Sequence, residues 1–77
     1  MKKIGLLGST GSIGVQTLNV IRRMPDKFTI QYISANNNID LLVKQAKEFI
    51  PKVICIKNHL HHKLAIQQLE GYNIKIL

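Results

Sequence analysis

The sequence lacks much that would otherwise define a small protein. It has one cysteine, Cys55, so no disulfide can form within the chain. A reducing compartment fits, and we expect a cytoplasmic protein. No apolar run approaches the roughly 18 to 20 residues of a membrane span. No hydrophobic signal core or Arg-rich, Ser-rich leader precedes the first apolar stretch, so we expect no targeting segment. Internal repeats and low-complexity linkers are also absent. Acidic residues are scarce: 4 against 11 Lys and Arg, for a formal charge of +7. The basic residues are nevertheless scattered, with only Lys2-Lys3 and Arg22-Arg23 adjacent. They read as solvated faces rather than as a nucleic-acid patch.

What is present fits an ordered chain of 77 residues with 45% hydrophobic content. That length suits one small domain or part of a larger one, with a core that is marginal alone. Lys3–Leu7 is a short apolar run and predicts a buried strand. Ile13, Thr17, Val20 and Ile21 recur at helical spacing, which predicts a helix from Ser12 to Arg23, stopped by Pro25. Phe28–Ser34 alternates and is rich in β-branched and aromatic residues, hence a second strand. A second helix is marked by Ile39, Leu42, Val43, Ala46 and Phe49, with Asp40 in its first turn and Pro51 at its end. Lys52–Ile56 reads as a third strand. His59–Leu69 reads as a third helix with Leu60, Leu64 and Leu69 on one face. Ile74–Leu77 reads as the start of a fourth strand. The β-α-β-α-β-α-β order predicts an α/β fold, a parallel sheet with helices on both faces. A last apolar strand that stops mid-core leads us to expect an incomplete domain, the first part of a longer protein.

Between the first strand and first helix lies Gly8-Ser9-Thr10-Gly11-Ser12-Ile13-Gly14, a G-x-x-G-x-x-G pattern. Its setting within a strand-turn-helix unit is what gives a glycine pattern meaning, and it points to a Rossmann-like dinucleotide fold. Gly8 permits the tight turn, Gly11 lets a pyrophosphate approach the backbone, and Gly14 lets the helix pack on the strand. The free N–H groups of the first helical turn then bind phosphate. Thr10 and Ser12 add hydroxyl donors and are candidate helix caps. A Walker A loop is excluded, since no Gly-Lys-Ser/Thr follows.

The end of the second strand bears on the choice of dinucleotide. NAD sites usually place Asp or Glu there for the ribose 2′-hydroxyl. Here the chain reads Ser34-Ala35-Asn36-Asn37-Asn38 and offers no carboxylate to repel a 2′-phosphate. NADP is therefore expected over NAD. No Arg or Lys stands in the loop, so Asn amides are left to donate to the phosphate without full charge assistance.

The heptapeptide Gly8–Gly14, followed by Thr17-Leu18 and Val20, resembles the N-terminus of the 1-deoxy-D-xylulose 5-phosphate reductoisomerases. Pro25, Phe28, Ala35 and Asn38 extend the likeness. The resemblance implies an NADPH-dependent oxidoreductase of non-mevalonate isoprenoid biosynthesis, which converts deoxyxylulose phosphate to methylerythritol phosphate. It further implies a divalent cation, Mg2+ or Mn2+, and a homodimer. On that likeness Thr10, Gly11, Ser12 and Ile13 would bind the pyrophosphate, and Asn36, Asn37 and Asn38 would surround the adenosine ribose and 2′-phosphate. Asn37 departs from the family, which often has a basic residue there. The metal ligands, the substrate ligands and the catalytic domain are expected outside residues 1–77, so no catalytic residue is assigned here.

Two alternatives remain open on sequence. One is another NADP-dependent oxidoreductase, of semialdehyde-dehydrogenase or short-chain-reductase type. The other is a non-catalytic basic module that binds nucleotide or nucleic acid. His59, His61 and His62 read as solvated, since no carboxylate or second cysteine completes a metal shell. Cys55, within an apolar strand, reads as an inert buried thiol. Asp26 and Glu48 are expected away from the cofactor face.

Overall fold

A computed structural model describes residues 1–77. Strand β1 (Lys2–Leu6) leads to helix α1 (Ser12–Arg22), then β2 (Phe28–Ala35), α2 (Ile39–Phe49) and β3 (Val53–Ile56). A 3₁₀ turn (His59–His61) precedes α3 (His62–Gln68), and β4 (Lys75–Ile76) follows. All neighbouring strands pair in parallel, in the spatial order β1-β2-β3-β4. The α/β, Rossmann-like class expected from the alternation is what the chain adopts.

Helix placement differs from expectation in one respect. Strands laid down in sequence through right-handed crossovers put every connecting helix on the same side of the sheet. The burial pattern agrees: Ile33, Ala35, Ile54 and Ile56 are buried against the helices, whereas Tyr32, Ser34, Val53 and Cys55 on the opposite pleat are only half-buried. Helices therefore cover one face of these residues, not both, and the shortest extent is 15 Å, suited to one sheet layer and one helix layer.

A single core cluster joins Leu18 and Ile21 of α1, Leu42 and Ala46 of α2, and Ala65 and Leu69 at α3 to the inner pleat of β2 and β3. At β1 the expectation of a buried strand fails. It lies at the sheet edge, its Ile4 and Leu6 are half-buried, and Leu7 beyond it is exposed. A register shift between Ile4 and Gly5 inserts one extra residue into β2.

The apolar face of α1 is also rotated from the expected one. Gly14, Leu18 and Ile21 are buried, while Ile13 is 81% exposed and Val20 51%. Gly14 has no side chain and so sends no hydropathy signal, yet it packs against the turn at Gly8 and Ser9. In α3, the asparagine side chain of Asn58 accepts from Leu60 N and starts a tight turn. That turn shifts the helical frame: Ala65 and Leu69 pack inward, and Leu60 is 86% exposed. The α2 expectation holds for Ile39, Leu42, Val43 and Ala46, with Phe49 half-buried. Asn38 caps that helix by accepting from Leu41 N at 3.3 Å. Ile50 ends it in the left-handed region, φ 47°, before the fully buried Pro51. No helix is long and apolar enough to cross a membrane.

Candidate functional site

The glycine turn is held by its backbone and by its neighbours. Gly8 has φ +69°, a conformation costly for any side chain. Gly11 N donates back to Gly8 O at 3.0 Å and closes the turn. At Gly14 a Cβ would lie 2.6 Å from both Gly8 O and Ser9 Cα, so only glycine lets α1 sit this close to the turn. Gly11 differs, because a Cβ there would meet only Gly8 O, at 3.4 Å, and otherwise point into open space.

Gly11 is the residue that caps α1, with extended dihedrals and no side-chain cap. This corrects the expectation that Thr10 or Ser12 would cap the helix. The first intrahelical-type bond runs from Val15 N to Gly11 O at 2.9 Å. The backbone N–H groups of Thr10, Ser12, Ile13 and Gly14 donate to no group of the chain. A side-chain cap would have consumed one of these donors. The helix instead offers a row of N–H groups at the positive end of its dipole, the arrangement that takes a phosphate or pyrophosphate.

Buried contacts fix the turn on two sides. Gly8 N donates to Ser34 Oγ at 3.1 Å, and Ser9 N donates to Ser34 O at 2.9 Å. Ser9 is fully buried, and its Oγ donates to Gln45 Oε1 at 2.7 Å. Gln45 Nε2 donates in return to Ser9 O at 2.9 Å. The turn between β1 and α1 is thus tied to the end of β2 and to the middle of α2.

Beside the turn lies a cleft of about 260 Å³ at the carboxyl ends of β1, β2 and β3, where open α/β sheets bind ligands. Its walls include Leu7, Gly8, Ser34, Asn36, Cys55 and Lys57. Tyr32 also lines it, and burial is the main cause that pushes its phenol pKa up. Cys55 is half-buried on this cleft wall rather than in the core, which corrects its reading as a buried thiol.

The structure brings the candidate residues together unevenly. Thr10, Gly11, Ser12 and Ile13 form the start of α1, and Ile13, exposed there, presents its backbone N–H beside the turn. Asn36 lines the cleft. Asn37 is exposed, and its carbonyl accepts from Ile39 N. Asn38 spends its side-chain oxygen on capping α2, leaving its amide N–H groups for other partners. Sequence reasoning missed Ser34, Gln45 and Lys57 as site residues. Ser34 and Gln45 carry no motif. Lys57 had a usable signal: the residue after one parallel strand stands beside the loop after its neighbour.

The remaining polar groups have structural tasks or none. Glu48 pairs with Arg22 across α1 and α2, away from the cleft as expected. His62 Nε2 lies 3.1 Å from Ile56 O, and the His59 and His62 rings are in tilted contact. No group of three or more His, Cys, Asp or Glu side chains is placed to hold a metal.

The comparison with known proteins is decisive on kinship. The sequence profile of the 1-deoxy-D-xylulose 5-phosphate reductoisomerases matches residues 4–77. The chain belongs to this family. It is 45% identical over 75 residues to the reductoisomerase of Porphyromonas gingivalis, covering 97% of this chain and 20% of the relative. It is 46% identical over 77 residues to that of Chloroherpeton thalassium, covering 100% of this chain and 20% of the relative. The chain therefore spans about a fifth of the length of these curated reductoisomerases. Among solved structures, a reductoisomerase in complex with NADPH, fosmidomycin and magnesium superposes with a TM-score of 0.93 at 32% identity, over 100% of this chain and 19% of that one. The Zymomonas mobilis reductoisomerase in complex with NADPH gives 0.92 at 29% identity, over 97% and 20%. The semialdehyde-dehydrogenase, short-chain-reductase and nucleic-acid readings are not favoured by these matches.

Proposed function

We infer that residues 1–77 are the N-terminal, NADPH-binding part of a reductoisomerase that converts 1-deoxy-D-xylulose 5-phosphate to 2-C-methyl-D-erythritol 4-phosphate. The observation that carries this is the start of α1, where four N–H groups without partners in the chain follow a turn that Gly8 and Gly14 hold in place. A dinucleotide fits this site chemically. Its pyrophosphate would take the free N–H groups of Thr10, Ser12 and Ile13 and lie against Gly11, whose own N–H closes the turn onto Gly8 O, with the two hydroxyls adding donors. The adenosine ribose would lie by Asn36, Asn37 and Asn38, at the end of β2. When bound, NADPH supplies a hydride.

The residues of this chain hold and orient the cofactor; they perform no proton transfer. No ligand set for Mg2+ or Mn2+ exists among them, so no step through a metal is derived. The reading places the catalytic and metal-binding parts, the phosphorylated sugar and the homodimer contacts on other segments, in keeping with the chain's share of its relatives. A cytoplasmic location is part of the same reading, supported by the single free cysteine.

Fluorescence titration of the full-length gene product with NADPH and NADH tests it. NADPH is expected to bind at least tenfold more tightly, and conversion of deoxyxylulose phosphate to depend on it. Tighter binding of NADH would overturn the reading.

A further inference from the structure

The cofactor reading leaves one charge unanswered. A 2′-phosphate carries about two negative charges, yet Asn36-Asn37-Asn38 offers only neutral amides. The structure holds a cation nearby that is not in this loop. Ala35 pairs with Ile56 in the β2–β3 register, and Lys57 N donates to Ala35 O at 3.1 Å. This places Lys57 directly beside Asn36. Both residues line the same cleft.

The electrostatic setting supports a ligand role. Of the residues lining the cleft, Lys57 alone is charged, and no carboxylate is among them. The one salt bridge of the chain joins Arg22 to Glu48 and leaves Lys57 without an acidic partner. Its side chain is exposed at a strand end, so it is free to reach toward a ligand.

We propose that Lys57 is a specificity-determining residue that binds the 2′-phosphate of NADPH, in place of a cation in the loop after β2. The proposal rests on the NADPH reading above. Lys57 acts as a point charge, while the Asn36 amide gives direction. It contributes nothing to a ligand lacking the 2′-phosphate.

The test is calorimetric titration of the full-length gene product with NADPH, NADH, 2′,5′-ADP and 5′-ADP. Wild type, Lys57→Ala and Lys57→Arg are compared. In Lys57→Ala, NADPH and 2′,5′-ADP should bind roughly tenfold more weakly, while NADH and 5′-ADP are unchanged. Lys57→Arg should restore most of the loss, and added salt should weaken 2′,5′-ADP binding less in Lys57→Ala than in wild type. If Lys57→Ala keeps the wild-type preference for the 2′-phosphate, or loses all four ligands equally, this proposal falls and the cofactor reading stands. If wild type itself shows no preference for NADPH, the cofactor reading falls and takes this proposal with it.

Discussion

Ser9 and Gln45 satisfy one another from both ends, the serine hydroxyl donating to Gln45 Oε1 at 2.7 Å and Gln45 Nε2 donating to the Ser9 carbonyl at 2.9 Å. Both residues are buried, and no buried side-chain polar atom in the chain is left without a partner. The pair fixes the height of the glycine turn above α2. Gln45→Leu keeps the bulk but strands the Ser9 carbonyl and leaves the Ser9 hydroxyl only a long bond, 3.4 Å, to Ser34 O. We expect a loss of about 1–3 kcal/mol in stability, read by urea denaturation of the full-length protein. NADPH affinity should fall as well, because the turn loses its anchor.

Gly11 and Gly14 should respond oppositely to the same substitution. Gly14→Ala forces a Cβ to within 2.6 Å of backbone atoms that cannot move aside cheaply. It should cost about 1–3 kcal/mol of stability, as overpacking does. Gly11→Ala places its methyl mainly in open space, with φ −76° already comfortable for alanine. Stability should change by less than about 0.5 kcal/mol. Dinucleotide binding should nevertheless weaken, since the methyl occupies the approach to the N–H groups. Thermal melts paired with NADPH titrations separate the two effects.

Arg22 grips Glu48 through two nitrogens and also donates to Asn19 Oδ1. The hydrogen bond from Arg22 is the main cause that holds the Glu48 carboxyl below its ordinary pKa, with burial opposing it. A carboxyl depressed in the folded state adds stability above its unfolded pKa and loses it as pH falls through the folded value. Glu48→Gln should therefore lower the urea midpoint at pH 7, with the difference shrinking below about pH 4. Both side chains are nearly half exposed, so added salt should shrink it too.

The sequence disclosed the fold through period and punctuation. Strands and helices alternated legibly, and the bounds of α2 were recovered because Ile39, Leu42, Val43 and Ala46 mark its buried face without ambiguity. The rotated face of α1 was not legible. The glycine pattern marked Gly14 as a packing position, but hydropathy, blind to a residue that packs by having no side chain, placed Ile13 and Val20 on the inner face instead. The frame of α3 was hidden because the Asn58 turn consumes one turn of residues before the helix begins. At the site, the glycine pattern pointed to the backbone at the start of α1, where the N–H groups of Thr10, Ser12 and Ile13 have no partner in the chain. Lys57 was overlooked because its place beside Asn36 has to be built from the parallel register of β2 and β3 rather than read from a motif.

The order β1-β2-β3-β4 also has a temporal meaning. Each of β2, β3 and β4 pairs with the strand synthesised just before it. Loop closures stay short, which favours rapid local assembly. By the time Lys57 leaves the ribosome, the turn at Gly8, its Ser34 and Gln45 anchors and the wall at Cys55 have all been translated. The cleft beside the glycine turn can thus form vectorially, ahead of any later segment that packs on it.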